Sequence, residues 1–303
     1  MLILLTNDDG IHSAGLQALA DRLQSLGRVV VVAPDRERSA IGHALTLHAP
    51  LRAEEILKDR WAVSGTPTDA VNLGIHGILK NMPDLVISGI NKGGNMGDDL
   101  TYSGTVAAAM EATLMGVPAI AVSLASRRFN YADFSDASRA AETLAVTVSE
   151  HGLPADTFIN VNVPPRTPLG IRLTRQGKRI YDDAVVENVD PRGRTYYWIG
   201  AGCLDFQDLD GTDFHAVQHG YVSVTPLHLD LTNYAAMDRL RCRYSAHRAR
   251  KPSISRSSFQ VREREGDRGR LFSAEGARVR WRSAIDSPIQ PPRATTPAAA
   301  MAS

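Results

Sequence analysis

Short apolar runs separated by helical patterns dominate the first half of the chain. Four of these runs occupy residues 1–5, 28–33, 84–88 and 118–124. Runs of this length without polar alternation are typical of strands buried on both faces of a parallel sheet. Because helical patterns separate the runs, the sequence predicts an α/β fold, a Rossmann-like doubly wound sheet that is mostly parallel.

Helices are predicted from apolar spacing and from residues that suit helix ends. Leucines and alanines recur at helical spacing from Leu16 to Leu26, and Gly27 ends the pattern. Pro67 suits the first turn of a helix that runs to about Leu79. Further helices are predicted over residues 104–115 and 136–150, and a short strand over 61–64.

The pattern changes after about residue 160, where short strand-like pieces such as 195–199 and 221–226 replace the alternation. We expect one domain over residues 1–240, in which an α/β core over about 1–160 carries a β-rich extension over about 160–240. The extension has too few apolar residues for a core of its own. The chain is therefore expected to form a homodimer or homotetramer.

The C-terminal segment, residues 241–303, differs from the rest of the chain in charge. It holds 14 Lys and Arg against five Asp and Glu, whereas the whole chain carries a net charge of +1. Residues 245–303 are rich in Arg, Ser, Pro and Ala without a sustained period, which is typical of disorder. A disordered extension without a role is one interpretation. The other is a basic arm with weak binding to polyanions such as RNA or polyphosphate.

Composition also excludes some classes of protein. No apolar run approaches the ~20 residues of a membrane span, and the N-terminus lacks the basic region and cleavage site of a signal peptide. Cys203 and Cys242 have no metal-ligand spacing and suggest no disulfide framework. We expect a cytoplasmic protein with no membrane contact.

Candidate chemistry lies where the predicted strands end, because ligands of open α/β sheets bind beyond the carboxyl ends of the strands. Three loops that meet there read Asn7-Asp8-Asp9-Gly10, Asp35-Arg36-Glu37-Arg38-Ser39 and Asn91-Lys92-Gly93-Gly94-Asn95. They offer carboxylates, a hydroxyl and amide oxygens. Hard oxygen ligands of this kind suit Mg²⁺, Mn²⁺ or Ca²⁺ rather than Zn²⁺.

The adjacent carboxylates of Asp8 and Asp9 favour a bound cation. Two like charges ~4–5 Å apart repel by roughly 3–4 kcal/mol at an effective dielectric constant near 20. A divalent cation converts this repulsion into shared attraction. Successive strand residues face opposite ways, but Gly10 lets the chain break so that both side chains turn toward one ion.

A predicted helix opens with Tyr102-Ser103-Gly104-Thr105. Ser103 suits the N-cap, and the first N–H groups of a helix bind anions. A cation and a helix N-terminus on one rim predict a phosphate bound between them.

Taken singly, an Asp pair or a helix cap is more often structural than functional. The remaining motifs are weaker evidence of function. Lys92-Gly93-Gly94 is not a Walker A pattern. His43 and His48 are interpreted as turn or surface residues. The stretch 208–213 hints at a calcium loop, but its glycine is misplaced and the closing Glu is absent, so this interpretation is rejected.

Six motifs occur in order along residues 1–240. They are Asn7-Asp8-Asp9-Gly10, Ala33-Pro34-Asp35-Arg36-Glu37-Arg38-Ser39-Ala40, Gly65-Thr66-Pro67-Thr68-Asp69, Ser88-Gly89-Ile90-Asn91-Lys92-Gly93-Gly94-Asn95, Tyr102-Ser103-Gly104-Thr105-Val106 and Gly220-Tyr221-Val222-Ser223-Val224-Thr225-Pro226-Leu227. Together they resemble the SurE (survival protein E) family of metal-dependent nucleotidases.

This resemblance implies a Rossmann-like core that hydrolyses nucleoside monophosphates as a 5′-nucleotidase, with 3′-nucleotides or polyphosphate as further substrates in some members. It implies one divalent cation per subunit, Mg²⁺ or Mn²⁺. The implied metal ligands are Asp8, Asp9, Ser39 and Asn91, of which Asp8 and Asp9 are also catalytic. The implied phosphate-side residues are Asn95, Ser103, Gly104 and Thr105. The family ends near residue 240–260, so nothing about the basic tail follows from the resemblance.

Two other functions remain open at this point. An aspartyl-phosphate-type phosphatase would use Asp8 or Asp9 as a covalent nucleophile. Such enzymes generally place an acid two residues after the nucleophile, where Gly10 and Ile11 stand here. A non-catalytic nucleotide-binding regulator would use the same rim as a sensor.

Overall fold

The computed structural model describes residues 1–126, 129, 131–180, 185–199 and 205–248. The strands in this part of the chain are β1 (Leu2–Thr6), β2 (Arg28–Pro34), β3 (Ala53–Leu57), β4 (Arg60–Val63), β5 (Leu85–Lys92), β6 (Ala119–Leu124), β7 (Thr157–Val163), β8 (Ile171–Leu173), β9 (Arg179–Ile180), β10 (Val185–Val189), β11 (Thr195–Ile199), β12 (Asp205–Phe206) and β13 (Val222–His228). The α-helices are α1 (Ala14–Leu23), α2 (Pro67–Leu73), α3 (Gly104–Leu114), α4 (Ser135–His151), α5 (Asp213–Gln218) and α6 (Tyr234–Arg248).

Nine strands form one sheet in the order β3-β4-β2-β1-β5-β6-β7-β13-β8. The six strands from β4 to β7 are parallel, whereas β3 and β13 run antiparallel to their neighbours β4 and β7. The chain leaves β1 toward β2 and returns to the other side of β1 as β5. The predicted Rossmann-like α/β fold is therefore confirmed, with its topological switch point between β1 and β5.

Helices cover both faces of this sheet. Ile3 and Leu5 of β1 pack in a core with α1 and α4, whereas Leu4 faces the opposite core with α2 and α3. Alternate strand residues point to opposite faces, so an unbroken apolar run supplies both cores. Two covered faces require such runs.

Local capping sets where the helices begin. Thr66 and Asp69 form a reciprocal capping box, with Pro67 in the first turn of α2. Ser103 caps α3 by accepting the N–H of Val106. The helix starts predicted at Pro67 and Gly104 are confirmed, because these signals act within one turn.

Some predicted boundaries differ in the structure. The helix predicted from Pro67 to about Leu79 is an α-helix only as far as Leu73. From Gly74 to Ile78 it continues as a π-helix. There Gly74 packs so close to Leu4 that a Cβ would lie 2.9 Å from a methyl carbon of that side chain. Strand β7 crosses the boundary expected at about residue 160, and β13 and β8 extend the same central sheet. Two strands of the β-rich extension therefore belong to the core sheet, whereas β9 with β12 and β10 with β11 form two separate two-stranded sheets.

The chain divides into two units, Met1–Met237 and Asp238–Ser303. The first unit contains the sheet and the site described below. Residues 245–248 of the segment predicted to be largely disordered belong to α6. The rest of the predicted tail lies outside the described residues. Within the described part, no helix is long and apolar enough to cross a membrane.

Candidate active site

A cavity of about 310 Å³ opens at the carboxyl ends of β1 and β5. It is lined by four predicted metal ligands and two predicted phosphate-side residues, namely Asp8, Asp9, Ser39, Asn91, Asn95 and Ser103. These residues come from three segments of the chain: the loop after β1, the loop after β2, and the stretch from the end of β5 to the start of α3. The structure thus brings together side chains up to 95 positions apart, at the switch point where α/β sheets bind ligands.

The loop after β1 is held in a fixed shape. The buried Asn7 donates from Nδ2 to the Gly10 carbonyl at 3.0 Å and to the Ser13 hydroxyl at 2.7 Å. Gly10 has a φ of +92°, and a Cβ there would lie 2.9 Å from the carbonyl carbon of Arg36. A glycine is therefore required, and the turn that it makes connects the two carboxylates to α1.

Asp8 is buried and held by the start of α3. The Thr105 hydroxyl donates to Asp8 Oδ1 at 2.5 Å. A Cβ at Gly104 would lie 2.9 Å from Asp8 Cβ and 3.0 Å from Oδ2, so a larger residue would push the carboxylate away. Burial raises the pKa of Asp8, and the Thr105 hydrogen bond opposes that rise. Gly104 and Thr105 both contact Asp8. The contact with phosphate that was predicted for these two residues remains a prediction.

Asp9 is held by Lys92, the last residue of β5. The backbone N–H of Lys92 donates to Asp9 Oδ2 at 3.0 Å, and the Lys92 ammonium lies 3.7 Å from Oδ1. Burial, followed by the charge of Asp8, raises the pKa of Asp9 to about 6. Burial is the larger cause of this rise, and the repulsion between Asp8 and Asp9 that was expected from the sequence adds to it.

Ser39 and Asn91 supply the remaining predicted ligand oxygens. The exposed Ser39 donates its hydroxyl proton to Glu37 Oε1 at 2.7 Å. The pairing of β5 with β6 shifts register between Ser88 and Asn91, and such irregularities re-aim side chains near sites. Asn91 donates from Nδ2 to the Gly93 carbonyl at 2.9 Å, so its amide oxygen is the atom with metal-ligand chemistry.

Asn95 is fixed by polar residues at the ends of β6 and β7. Its backbone carbonyl accepts from Asn160 and Asn162 at 2.9 Å each, and its side chain donates to Ser123 at 2.8 Å. These buried asparagines interrupt the apolar pattern of β7, which is why sequence periodicity missed that strand.

Sequence reasoning also missed residues that shape the cavity. Glu37, Lys92 and Asp99 line it; Glu37 and Lys92 stood inside quoted motifs without an assigned role. Asp213 holds the segment that follows Asn95, because its carboxylate accepts the N–H groups of Gly97 at 2.8 Å and Gly177 at 2.9 Å. No local signal marks Asp213, because its partners are 36 and 116 residues away.

The side chains fit a hard divalent cation. Two buried carboxylates, a hydroxyl and an amide oxygen converge, and none of the described residues lining the cavity is His or Cys. Burial raises the pKa of both carboxyls, and the Thr105 hydrogen bond and the Lys92 charge oppose that rise only in part, so a cation would favour the ionised forms. An oxygen-only set of this kind suits Mg²⁺ or Mn²⁺.

Fold and site together define the class: a Rossmann-like α/β protein with an acidic, oxygen-lined cavity at the switch point of its sheet. Residues 3–183 match the family model described as survival protein SurE. The chain belongs to the SurE family.

Individual relatives agree with this assignment. The chain is 66% identical over 240 residues to a 5′-nucleotidase SurE of Syntrophotalea carbinolica, covering 79% of this chain and 96% of the relative. It is 61% identical over 244 residues to a 5′-nucleotidase SurE of Geotalea daltonii, covering 80% and 98%. The crystal structure of the SurE protein from Aquifex aeolicus superposes with a TM-score of 0.72 at 47% identity, covering 80% of this chain and all of that one.

Proposed function

We propose that this chain is a metal-dependent 5′-nucleotidase that hydrolyses nucleoside monophosphates to nucleoside and phosphate. The observation that carries the proposal is the single cavity that gathers Asp8, Asp9, Ser39 and Asn91. The names of the relatives support the same reaction. Activity on 3′-nucleotides or polyphosphate is a further proposal from family resemblance.

Asp8, Asp9, Ser39 and Asn91 would hold one Mg²⁺ or Mn²⁺ per subunit. Such an ion supplies positive charge for the phosphoryl oxygens and lowers the pKa of a water molecule. Thr105 and Lys92 hold the two carboxylates in place, so little reorganisation is needed during the reaction.

The phosphate is proposed to lie between Asn95 and the start of α3. Ser103 lines the cavity, and α3 has 11 residues, so its N-terminus contributes partial positive charge on that side. The ammonium of Lys92 adds a full positive charge beside Asp9. These groups together favour a dianionic phosphate despite the two carboxylates.

The alternatives are less well supported. For a covalent aspartyl-phosphate mechanism, the residue two positions after Asp9 should be an acid, but Ile11 is an apolar residue buried in the core. A regulator without catalysis has no support from the relatives, which are named as nucleotidases.

A phosphate-release assay tests the proposal. With Mn²⁺ or Mg²⁺ present, AMP and GMP should be hydrolysed, and EDTA should stop the reaction. Asp8→Asn and Asp9→Asn should each abolish turnover while the protein stays folded. Asp156→Asn is a matched control, because Asp156 is exposed and precedes β7 at the opposite edge of the sheet. Full activity of both site variants at ordinary metal concentration would refute the assignment.

A further inference from the structure

A second group of ligand-type side chains lies in residues 208–219, away from the cavity at β1 and β5. Asp208, His215 and His219 offer ligand atoms that all lie within 4.8 Å of one another. His215 lies in α5 and His219 directly follows that helix, four residues later, so both project from the same side. Their rings stack with centroids 4.0 Å apart.

A hydrogen bond selects the ligand atom of His219. Its Nδ1 lies 2.8 Å from the backbone carbonyl oxygen of His215. A carbonyl only accepts, so Nδ1 carries the hydrogen and the lone pair of the neutral ring is on Nε2. Metal-binding histidines are commonly oriented by this kind of bond, in which the other ring nitrogen donates to a carbonyl or carboxylate.

His215 lies between two carboxylates. Its Nδ1 is 2.7 Å from Asp208 Oδ1, and its Nε2 is 3.4 Å from Asp210 Oδ1. A neutral imidazole has one N–H, so one ring nitrogen must face a carboxylate oxygen with lone pair against lone pair. A positive charge removes this repulsion between the lone pairs. The charge is either a proton on the ring or a metal ion between the groups.

We propose that Asp208, His215 and His219 form a second divalent metal site, with Asp210 as a fourth ligand. Imidazole nitrogens combined with carboxylates select Zn²⁺, Co²⁺ or Ni²⁺ over Mg²⁺. The calcium-loop interpretation of residues 208–213 remains rejected, because the two histidines change the ligand chemistry. The two sites of the chain thus prefer different classes of ion.

The site has a structural consequence. The same segment contains Asp213, which holds the Gly97 loop beside the active-site cavity. An ion that joins residues 208–210 to α5 fixes the segment on both sides of Asp213. Metal at this site therefore stabilises the fold and takes no part in the reaction.

Titration of tag-free, full-length protein with Co²⁺ tests the proposal. Asp8→Asn/Asp9→Asn serves as the parent, because it weakens metal binding at the first cavity. We expect one Co²⁺ per chain with the visible absorption of a four-coordinate nitrogen–oxygen site, and a rise in Tm on adding Zn²⁺. His219→Gln, at an exposed position, should weaken Co²⁺ binding at least tenfold.

His151→Gln is the matched control, because His151 is exposed at the end of α4 and pairs with the adjacent Glu150. It should bind Co²⁺ as the parent does. Unchanged Co²⁺ affinity in both His219→Gln and His215→Gln, or no Co²⁺ bound by the folded parent, would overturn the proposal. The first result would place the ion elsewhere, and the second would leave a proton as the charge beside His215.

Discussion

Asp9 combines burial, a neighbouring negative charge and a raised pKa in one side chain. Its pKa rises from 3.8 to about 6 on folding, which corresponds to roughly 3 kcal/mol. The folded state holds the proton of Asp9 more tightly than the unfolded state does. Ionised Asp9 therefore lowers the free energy of unfolding, an effect that is absent below pH ~3.8 and complete above pH ~6. The ionised carboxylate is thus maintained at a cost in stability, as expected of a cation ligand.

Asp9→Asn should therefore raise the Tm of the metal-free protein at pH 7.5 by several degrees. The difference should vanish near pH 4, where the carboxyl is protonated in wild type. Thermal unfolding in EDTA across this pH range measures both effects. With Mn²⁺ added, wild type should gain more stability than the variant. A metal-free variant that is less stable than wild type at pH 7.5 would contradict this account.

Thr105 acts on the site through Asp8. Thr105→Val keeps the shape but removes the hydroxyl that donates to Asp8 Oδ1. Loss of such an orienting partner typically costs ~10–100-fold in metal affinity or activity. We expect kcat/KM for AMP to fall by about that factor, and the metal concentration for half-maximal activity to rise. Thr105→Ser keeps the donor and should retain most activity. Equal loss in both variants would point to packing instead.

The short 3₁₀-helix over Gly97–Tyr102 is held in place by other elements of the fold. Asp213, at the start of α5, accepts the N–H of Gly97, while Lys178 lies 3.1 Å from Asp98 and Arg179 pairs with Asp99. Since Asp99 lines the cavity, late elements of the chain shape a wall of the early site.

Asp213→Asn tests this connection between elements. The two carboxylate oxygens of Asp213 accept from the N–H groups of Gly97 and Gly177 respectively. In either orientation, the amide of an Asn side chain would therefore point its NH₂ group at one of these two backbone N–H groups. We expect a loss of ~1–3 kcal/mol, with Tm falling by about 2–4 °C per kcal/mol, and a higher KM for AMP. Asp205→Asn, an exposed residue of β12, is the control. An unchanged Tm for Asp213→Asn would show that the Gly97 loop is held by other contacts.

At the scale of the whole molecule, the hairpin of β10 and β11 is exposed along its full length. It carries a set of exposed apolar side chains, namely Val185, Val186, Val189, Tyr196, Tyr197, Trp198 and Ile199. Apolar patches of this kind mark interaction surfaces. This observation supports the proposed homodimer or homotetramer.

Trp198→Asp should shift the assembly toward smaller species, because it removes apolar area and adds charge on the hairpin. Sedimentation velocity at micromolar concentration measures the change. Thr195→Asp adds the same charge on β11 without removing a large apolar side chain, and should disturb assembly less. A wild-type monomer at this concentration would argue against assembly through the hairpin.

The basic C-terminal segment should be dispensable for mononucleotide hydrolysis, because every residue proposed to bind the metal or the phosphate in the active site precedes Val106. Truncation after Arg248 keeps α6 whole, and kcat/KM for AMP should stay within about twofold of wild type. Any binding of long polyphosphate or RNA should weaken on truncation and with salt, as counterions are released. A folded truncated protein that cannot hydrolyse AMP would show that the site is misplaced.

The sequence by itself determined five of the six parallel strands, the starts of α2 and α3 and the edge of the sheet where the site lies. These features depend on local physics: unbroken apolar runs such as residues 28–33, caps such as Ser103, and turns such as Gly10. A strand that is buried on both faces, or a helix that needs a cap, carries its signal within a few residues.

Only the tertiary structure decided which side chains meet. The Thr105–Asp8, Lys92–Asp9 and Asp213–Gly97 contacts join residues 83 to 116 positions apart. Strand β7 was hidden because its buried asparagines are satisfied by Asn95, a partner that no local pattern reveals. Such pairings depend on how the strands are ordered in the sheet, and that order is set by the packing of the whole chain.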